Sequence, residues 1–285
     1  MEIQSVAVLG SGTMGAGIAQ VCAQLGCEVA LCDISEEVAE RGLAGIGRFL
    51  ASGVERGKVT PRKRAATLAL IRATEDVAGA VQNVQLVVEA APEELALKRD
   101  IFVRVADAAP ENALLATNTS SIPISKIAEG NHAAGRIVGM HFFNPVPLMK
   151  LLELVVGEQT TPETTASARA FGERLGKEVI TVRDTPGFAS SRLGICIAME
   201  AIRMVEQEVA SPTDIDRAMV FGYGFPMGPL RLTDLVGLDV RMAIADHLAE
   251  ALDAPEFTPP ALLRRMVAEG RLGKKSGHGF YDWEA

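Results

Sequence analysis

The sequence predicts an α/β protein: a mostly parallel sheet with helices on both faces, followed by an all-helical C-terminal domain. Three observations carry that reading. Short apolar runs alternate with helix-period segments through residue 183, the pattern of strands joined by crossover helices. The first of these runs leads directly into Gly-x-Gly-x-x-Gly. After Asp184 the strand pattern stops and only helical segments follow.

Strands are expected at 6–9, 29–33, 86–90, 113–117, 137–142, 151–156 and 179–182, each a short apolar run. Helices are expected between them at 14–24, 36–50, 97–108 and 164–175. Asp184-Thr185-Pro186-Gly187 supplies breaker residues, so the domain boundary is set there, giving 1–183 and 184–285. In the second domain, 192–208 reads as one long helix, apolar around most of its circumference. Such a helix is a core element or a subunit interface, and a domain of this size has little material to cover it, which favours an oligomer. Ser211, Pro212 and Asp214 have the spacing of a helix start, and 238–252 and 260–269 read as two further helices.

Composition excludes several function classes. The chain has 285 residues, 48% of them hydrophobic, enough for two modest domains with real cores. No apolar stretch approaches the length of a membrane span, and Met1-Glu2-Ile3-Gln4 runs into a strand without an export signal. Cys22, Cys27, Cys32 and Cys196 have no metal or redox spacing and read as reduced thiols of a cytoplasmic protein. A net charge of −8 and 5% aromatic residues argue against nucleic-acid binding. His132, His247 and His278 lack ligand spacing, so no metal is expected.

The glycine fingerprint is informative because of its context. It follows a strand, opens a helix, and leads to a second strand ending in Asp33, a complete Rossmann-type βαβ unit. Gly10 permits the tight turn, Gly12 lets a pyrophosphate approach the backbone, and Gly15 lets helix and strand pack closely, with Thr13 and Met14 between them. The helix start offers amides and positive potential to phosphates. Asp33 suits the adenosine ribose hydroxyls and repels a 2′-phosphate, and no basic residue follows until Arg41. The cofactor expected is therefore NAD rather than NADP.

A second feature is His141-Phe142-Phe143-Asn144-Pro145-Val146-Pro147, followed by Glu153 inside an apolar strand. A carboxylate in such a run needs a partner. A histidine held by a carboxylate is how a general base is built at neutral pH. The pair alone leaves a satisfied core histidine equally open. A third feature is the basic segment 48–72, with Arg48, Arg56, Lys58, Arg62, Lys63, Arg64 and Arg72 against Glu55 alone. It reads as a solvated helix pair or as a surface for a polyanionic substrate tail such as the phosphates of coenzyme A.

Gly10 to Gly15, Asn118-Thr119-Ser120-Ser121, His141 to Pro147, Glu153 and Asp184 to Phe188 occur in that order. With Phe225-Pro226-Met227-Gly228-Pro229 and the closing Gly273 to Tyr281, they make the whole chain resemble the 3-hydroxyacyl-CoA dehydrogenases, closest to stand-alone bacterial 3-hydroxybutyryl-CoA dehydrogenases. The resemblance implies a Rossmann domain joined to a helical dimerisation domain, an acyl-CoA substrate, a homodimer, and a place in fatty acid metabolism. It implies that His141 is the base, that Glu153 holds it, and that Ser120 bonds the substrate oxygen or positions the nicotinamide. It assigns Glu93, Lys98, Asn144 and Lys275 to the NAD site beside Asp33, and brings Arg56 and Lys58 near the coenzyme A contacts. One position departs: Ser191 stands where the family usually presents an asparagine that completes the active-site hydrogen bonds. Two other readings are a sugar-acid (gulonate-type) dehydrogenase, which the basic segment disfavours, and a non-catalytic NAD-binding protein, which Ser120, His141 and Glu153 disfavour.

Overall fold

The structure is a computed structural model and describes residues 2–283. The chain divides into two compact units, Met1–Thr185 and Pro186–Ala285. The boundary lies two residues beyond the expected one because Asp184 belongs to the first unit: its carboxylate caps a helix there, accepting from the amides of Ile124 (2.9 Å) and Ser125 (2.7 Å).

The first unit begins β1 (Ser5–Leu9), α1 (Thr13–Gln24), β2 (Glu28–Cys32), α2 (Glu36–Glu55), α3 (Pro61–Ala69), β3 (Ile71–Thr74) and α4 (Val77–Val81). It continues through β4 (Leu86–Glu89), α5 (Leu95–Ala108), β5 (Leu114–Thr117), α6 (Ile124–Ala128), β6 (Ile137–Phe142), β7 (Leu151–Val156), α7 (Pro162–Arg174) and β8 (Glu178–Arg183). The strands form one sheet in the order β3-β2-β1-β4-β5-β6-β7-β8. Every pairing is parallel except β6 with β7. Buried side chains such as Val6, Val8, Leu31, Leu86, Val88 and Leu152 join the sheet to α1, which contributes Ile18 and Cys22. The order in which strands are added reverses beside β1, whose parallel neighbours are β2 and β4, and this switch point opens a crevice beyond the carboxyl ends of the central strands.

The short helices α4 and α6 were not expected, and two further elements differ from the sequence reading. Strand β3 was not expected, because Ile71-Arg72-Ala73-Thr74 is an edge strand with one buried residue and no apolar run. Helix α2 extends to Glu55 instead of stopping at 50, and Gly53 is tolerated within it because Val59 folds back to within 3.0 Å of where a Cβ would stand.

The second unit contains α8 (Ser190–Glu206), α9 (Pro212–Arg217), α10 (Pro229–Val236), α11 (Leu238–Leu252) and α12 (Ala261–Ala268). Helix α9 starts as its spacing predicts, with the Ser211 hydroxyl accepting from the Asp214 amide at 3.1 Å. Helix α8 buries only Ile195, Ala198, Met199, Ala201 and Ile202, one stripe of its surface, and leaves Leu193 65% exposed. The glycine-rich tail after α12 is pinned by two buried carboxylates. Asp234 accepts from the amides of Phe280 and Tyr281 and from the Trp283 indole, each at 2.9 Å, and Asp216 accepts from the Tyr281 hydroxyl at 2.7 Å.

Candidate active site

The crevice beyond β1 and β4 is a cleft of about 710 Å³ lined by Gly10, Gly12, Thr13, Met14, Asp33 and Ile34 among others. Its geometry follows from the glycines. Gly10 has φ +102°, and a Cβ there would stand 2.5 Å from the Ala90 carbonyl oxygen. A Cβ at Gly15 would fall 1.7 Å from the Gly10 carbonyl oxygen, so helix and strand approach only because none is present. At Gly12 nothing lies within 4 Å of that position, and Gly12 is also the N-cap of α1, with no side-chain cap. The backbone there is a bare concave surface at a helix start, which fits a pyrophosphate.

Asp33 closes the cleft at the end of β2. Its Oδ2 accepts from the Ser11 amide and hydroxyl, both at 2.6 Å, and its Oδ1 from the Ile34 amide at 2.8 Å. Burial opposes ionisation, but these bonds outweigh it and hold the carboxyl below the usual range. An anionic, oriented carboxylate fits ribose hydroxyls and opposes a 2′-phosphate. Ser11, an unassigned position within the fingerprint, is the residue that fixes it.

Glu89, at the end of β4, is fully buried and accepts from Lys98 Nζ (2.7 Å), the Thr117 hydroxyl (2.6 Å) and the Ala91 amide (2.7 Å). Lys98, 1% exposed, also pairs with Glu93 at 3.3 Å. Glu93 Oε1 in turn gathers the Thr119 hydroxyl (2.6 Å) and the amides of Ser120 (2.9 Å) and Ser121 (3.0 Å). Burial disfavours the charge on Glu93, yet the Thr119 hydroxyl, Lys98 and the two amides hold its carboxyl below the usual range. Lys98 therefore reaches the site through Glu93 and is not itself a surface group. Glu89 was not singled out in the sequence, since an acid ending an apolar run looks like a strand boundary.

His141 and Glu153 are opposite each other in the antiparallel β6–β7 register. Facing residues on neighbouring strands share a face, with Cβ atoms close enough for side chains to meet. The His141 Nδ1 to Glu153 Oε2 distance is 2.7 Å, with His141 7% exposed and Glu153 fully buried. The Phe143 ring tilts against the imidazole, centroids 4.5 Å apart. Three further bonds hold the strand ends. The Phe142 amide donates to Asn118 Oδ1 (2.9 Å), and the buried Lys177 ammonium donates to the carbonyls of Val146 (2.5 Å) and Met149 (2.7 Å) in the connecting loop. Asn144, in that loop, is exposed and precedes a cis proline.

Two family profiles match the chain: the NAD-binding domain of 3-hydroxyacyl-CoA dehydrogenase over residues 5–185 and the C-terminal domain of the same enzyme over 187–283. The chain belongs to the 3-hydroxyacyl-CoA dehydrogenase family. It is thus an NAD-dependent oxidoreductase by family, and the glycine cradle and Asp33 suit that cofactor. Among its relatives is a 3-hydroxybutyryl-CoA dehydrogenase of Mycobacterium tuberculosis, 44% identical over 99% of both chains. Another is a 3-hydroxyadipyl-CoA dehydrogenase of Escherichia coli, 44% identical over all of this chain and 60% of that one. The structure of (S)-3-hydroxybutyryl-CoA dehydrogenase from Ralstonia eutropha covers both chains completely, with 39% identity and a TM-score of 0.95.

The other residues that the family resemblance points to are Ser191, Lys275, Arg56 and Lys58. In the second unit, Ser191 occupies the first turn of α8 and is half-buried. Lys275 pairs with Asp239 at 2.5 Å, and the Lys275 hydrogen bond holds the Asp239 carboxyl below its usual range. In the first unit, Arg56 and Lys58 are exposed where α2 ends. Among the described residues no carboxylate pairs with any of the seven basic residues of segment 48–72. No helix among the described residues is long and apolar enough to cross a membrane.

Proposed function

We propose that the protein catalyses the reversible, NAD-dependent oxidation of a (S)-3-hydroxyacyl-CoA to the 3-ketoacyl-CoA, with 3-hydroxybutyryl-CoA as a substrate. The observation that carries the chemistry is the buried 2.7 Å contact between His141 Nδ1 and Glu153 Oε2. With Nδ1 committed to the carboxylate, Nε2 is the nitrogen that exchanges a proton with substrate. In oxidation His141 takes the proton of the 3-hydroxyl as hydride leaves C3, and Glu153 stabilises the imidazolium that forms. In reduction the imidazolium polarises the 3-keto oxygen and then protonates it. Bound NAD supplies the hydride acceptor or donor. Ser120, on the loop that Glu93 gathers, donates to the substrate oxygen. The thioester is untouched, so no nucleophile is required.

The unpaired basic residues of α2 and α3 supply a positive surface suited to the phosphates of coenzyme A, which favours an acyl-CoA over a sugar acid. The apolar surface of the second unit, with Leu193, Leu232, Leu235, Val236 and Val240 each at least 39% exposed, supports a homodimer formed through that unit. The free thiols of all four cysteines suit a reducing cytoplasmic setting. The test is NADH consumption with acetoacetyl-CoA, with NADPH in parallel. Rapid reduction with NADH and little with NADPH is expected. NADH binding without reduction of any 3-ketoacyl-CoA would overturn the proposal.

A further inference from the structure

Gly10 and Gly12 line the dinucleotide cleft, but Ser11 between them does not. Ser11 is 5% exposed, and its side chain faces into the protein, toward Asp33 and α2. Its hydroxyl can donate to Asp33 Oδ2 at 2.6 Å or to the Val38 carbonyl at 3.1 Å. It carries one proton, and the ionised carboxylate is the stronger acceptor. Helix α2 closes over the hydroxyl: a Cβ built at Gly42 would stand 2.6 Å from Ser11 Cβ and 3.0 Å from its Oγ. A nucleotide in the cleft therefore meets the Asp33 side chain and not that of Ser11.

The backbone around Asp33 is fixed without the Ser11 hydroxyl. The Gly10 amide donates to the Cys32 carbonyl at 2.8 Å, and the Asp33 amide donates to the Thr74 carbonyl at 3.3 Å. What these bonds leave open is rotation of the carboxylate, whose terminal torsion is soft. The Ile34 amide holds Oδ1, and the Ser11 amide and hydroxyl hold Oδ2. Burial works against the charge on Asp33, and the Ser11 hydroxyl is the largest of the contributions that override it. Arg41, the next basic residue along the chain, is paired with Glu37 at 2.7 Å. Discrimination at the ribose thus falls to the orientation and charge of one carboxylate.

We propose that Ser11 is the positioning residue that sets selectivity for NAD over NADP. Its hydroxyl holds the Asp33 carboxylate in the orientation that accepts a ribose hydroxyl and repels a 2′-phosphate, and it does so without touching the cofactor. The inference rests on the NAD assignment of the family and is independent of the acyl substrate.

Ser11→Ala isolates the hydroxyl, because the backbone amide bond to Oδ2 survives the change. Calorimetry should show NADH affinity falling about 10-fold, the scale of one hydrogen bond to a charged group, with NADPH affinity unchanged or higher. The preference for NADH over NADPH then drops by about 10-fold or more. In steady-state reduction the KM for NADH should rise while kcat stays nearly level, as expected when binding alone is lost. In an Asp33→Ala background, adding Ser11→Ala should alter neither affinity, because the hydroxyl then has no carboxylate to position. Equal weakening of NADH and NADPH overturns the proposal and marks a packing role. An unchanged ratio overturns it as well. So does a further loss in the Asp33→Ala background, which would mean that Ser11 acts on the nucleotide directly. If the unsubstituted protein binds NADPH as tightly as NADH, there is no selectivity to set and the proposal falls. If no ketoacyl-CoA is reduced, the dehydrogenase reading fails, and the calorimetric ratios still decide the role of Ser11.

Discussion

Replacing Glu153 with Gln preserves the shape of the side chain and removes its charge. Glu153 Oε2 is 2.7 Å from His141 Nδ1 and both groups are buried. The centres of the two charges are then about 4 Å apart, and at an effective dielectric of about 20 their attraction is about 4 kcal/mol. The imidazolium is only partly formed in the transition state, so about half to all of that attraction is lost there. A barrier increase of about 2–4 kcal/mol corresponds to a fall in kcat of roughly 30- to 1000-fold. The amide oxygen can still accept from Nδ1–H, so the ring keeps its orientation and the loss is electrostatic. Steady-state reduction of acetoacetyl-CoA, with NADH affinity measured separately by fluorescence, gives the comparison. NADH binding should change little, since the pair stands on β6 and β7 and the dinucleotide cleft on β1 and β2. A kcat within about threefold of the unsubstituted protein would refute the electrostatic account.

Other substitutions separate packing from binding. Gly15→Ala places a Cβ 1.7 Å from a carbonyl oxygen and should cost on the order of 2–4 kcal/mol of stability along with NADH binding, read by thermal melting and calorimetry. Gly12→Ala meets no protein atom within 4 Å, so Tm should hold while NADH affinity falls; equal losses in both measurements would contradict a phosphate cradle at Gly12. Reversing Arg56 and Lys58 to Glu should raise the KM for acyl-CoA and weaken its dependence on salt, while the KM for NADH stays level. Glu93 has a carboxyl held below its unfolded value of about 4.3, so its stabilising contribution is complete above that pH and disappears as pH falls through the lower folded value. The Tm gap between the unsubstituted protein and Glu93→Gln should therefore narrow in acid, and a gap independent of pH would count against it.

The parts legible in the sequence are those in which one segment carries its own signal. The glycine cradle is written in consecutive residues, and its strand and helix follow at once. The His141–Glu153 pair was legible as two polar residues in adjoining apolar strands, although the sequence could not tell a base from a buried structural histidine. Strand β3 was not legible, since an edge strand that buries only Ile71 leaves no apolar run. Glu89 and Lys177 were not legible either, because what distinguishes each is burial at a place fixed by distant segments. Lys177 matters through two carbonyls about thirty residues away. Ser11 lay inside a recognised motif, but its bonds to Asp33 appear only when β1 and β2 are side by side.

The single antiparallel pairing has a mechanical consequence. His141 and Glu153 occupy facing rungs of one ladder, and their neighbours Met140↔Leu154 and Phe142↔Leu152 are equally matched. Any bending, twisting or rigid displacement of the sheet carries both groups together, and the spacing that matters for proton transfer is left alone. The eight-residue span between the strands can change in length or sequence without disturbing that spacing, because the rungs and not the loop set it. Drift could then retune whatever the loop touches while the acid–base couple stays in alignment, so variation is channelled toward what is bound and away from how the proton moves.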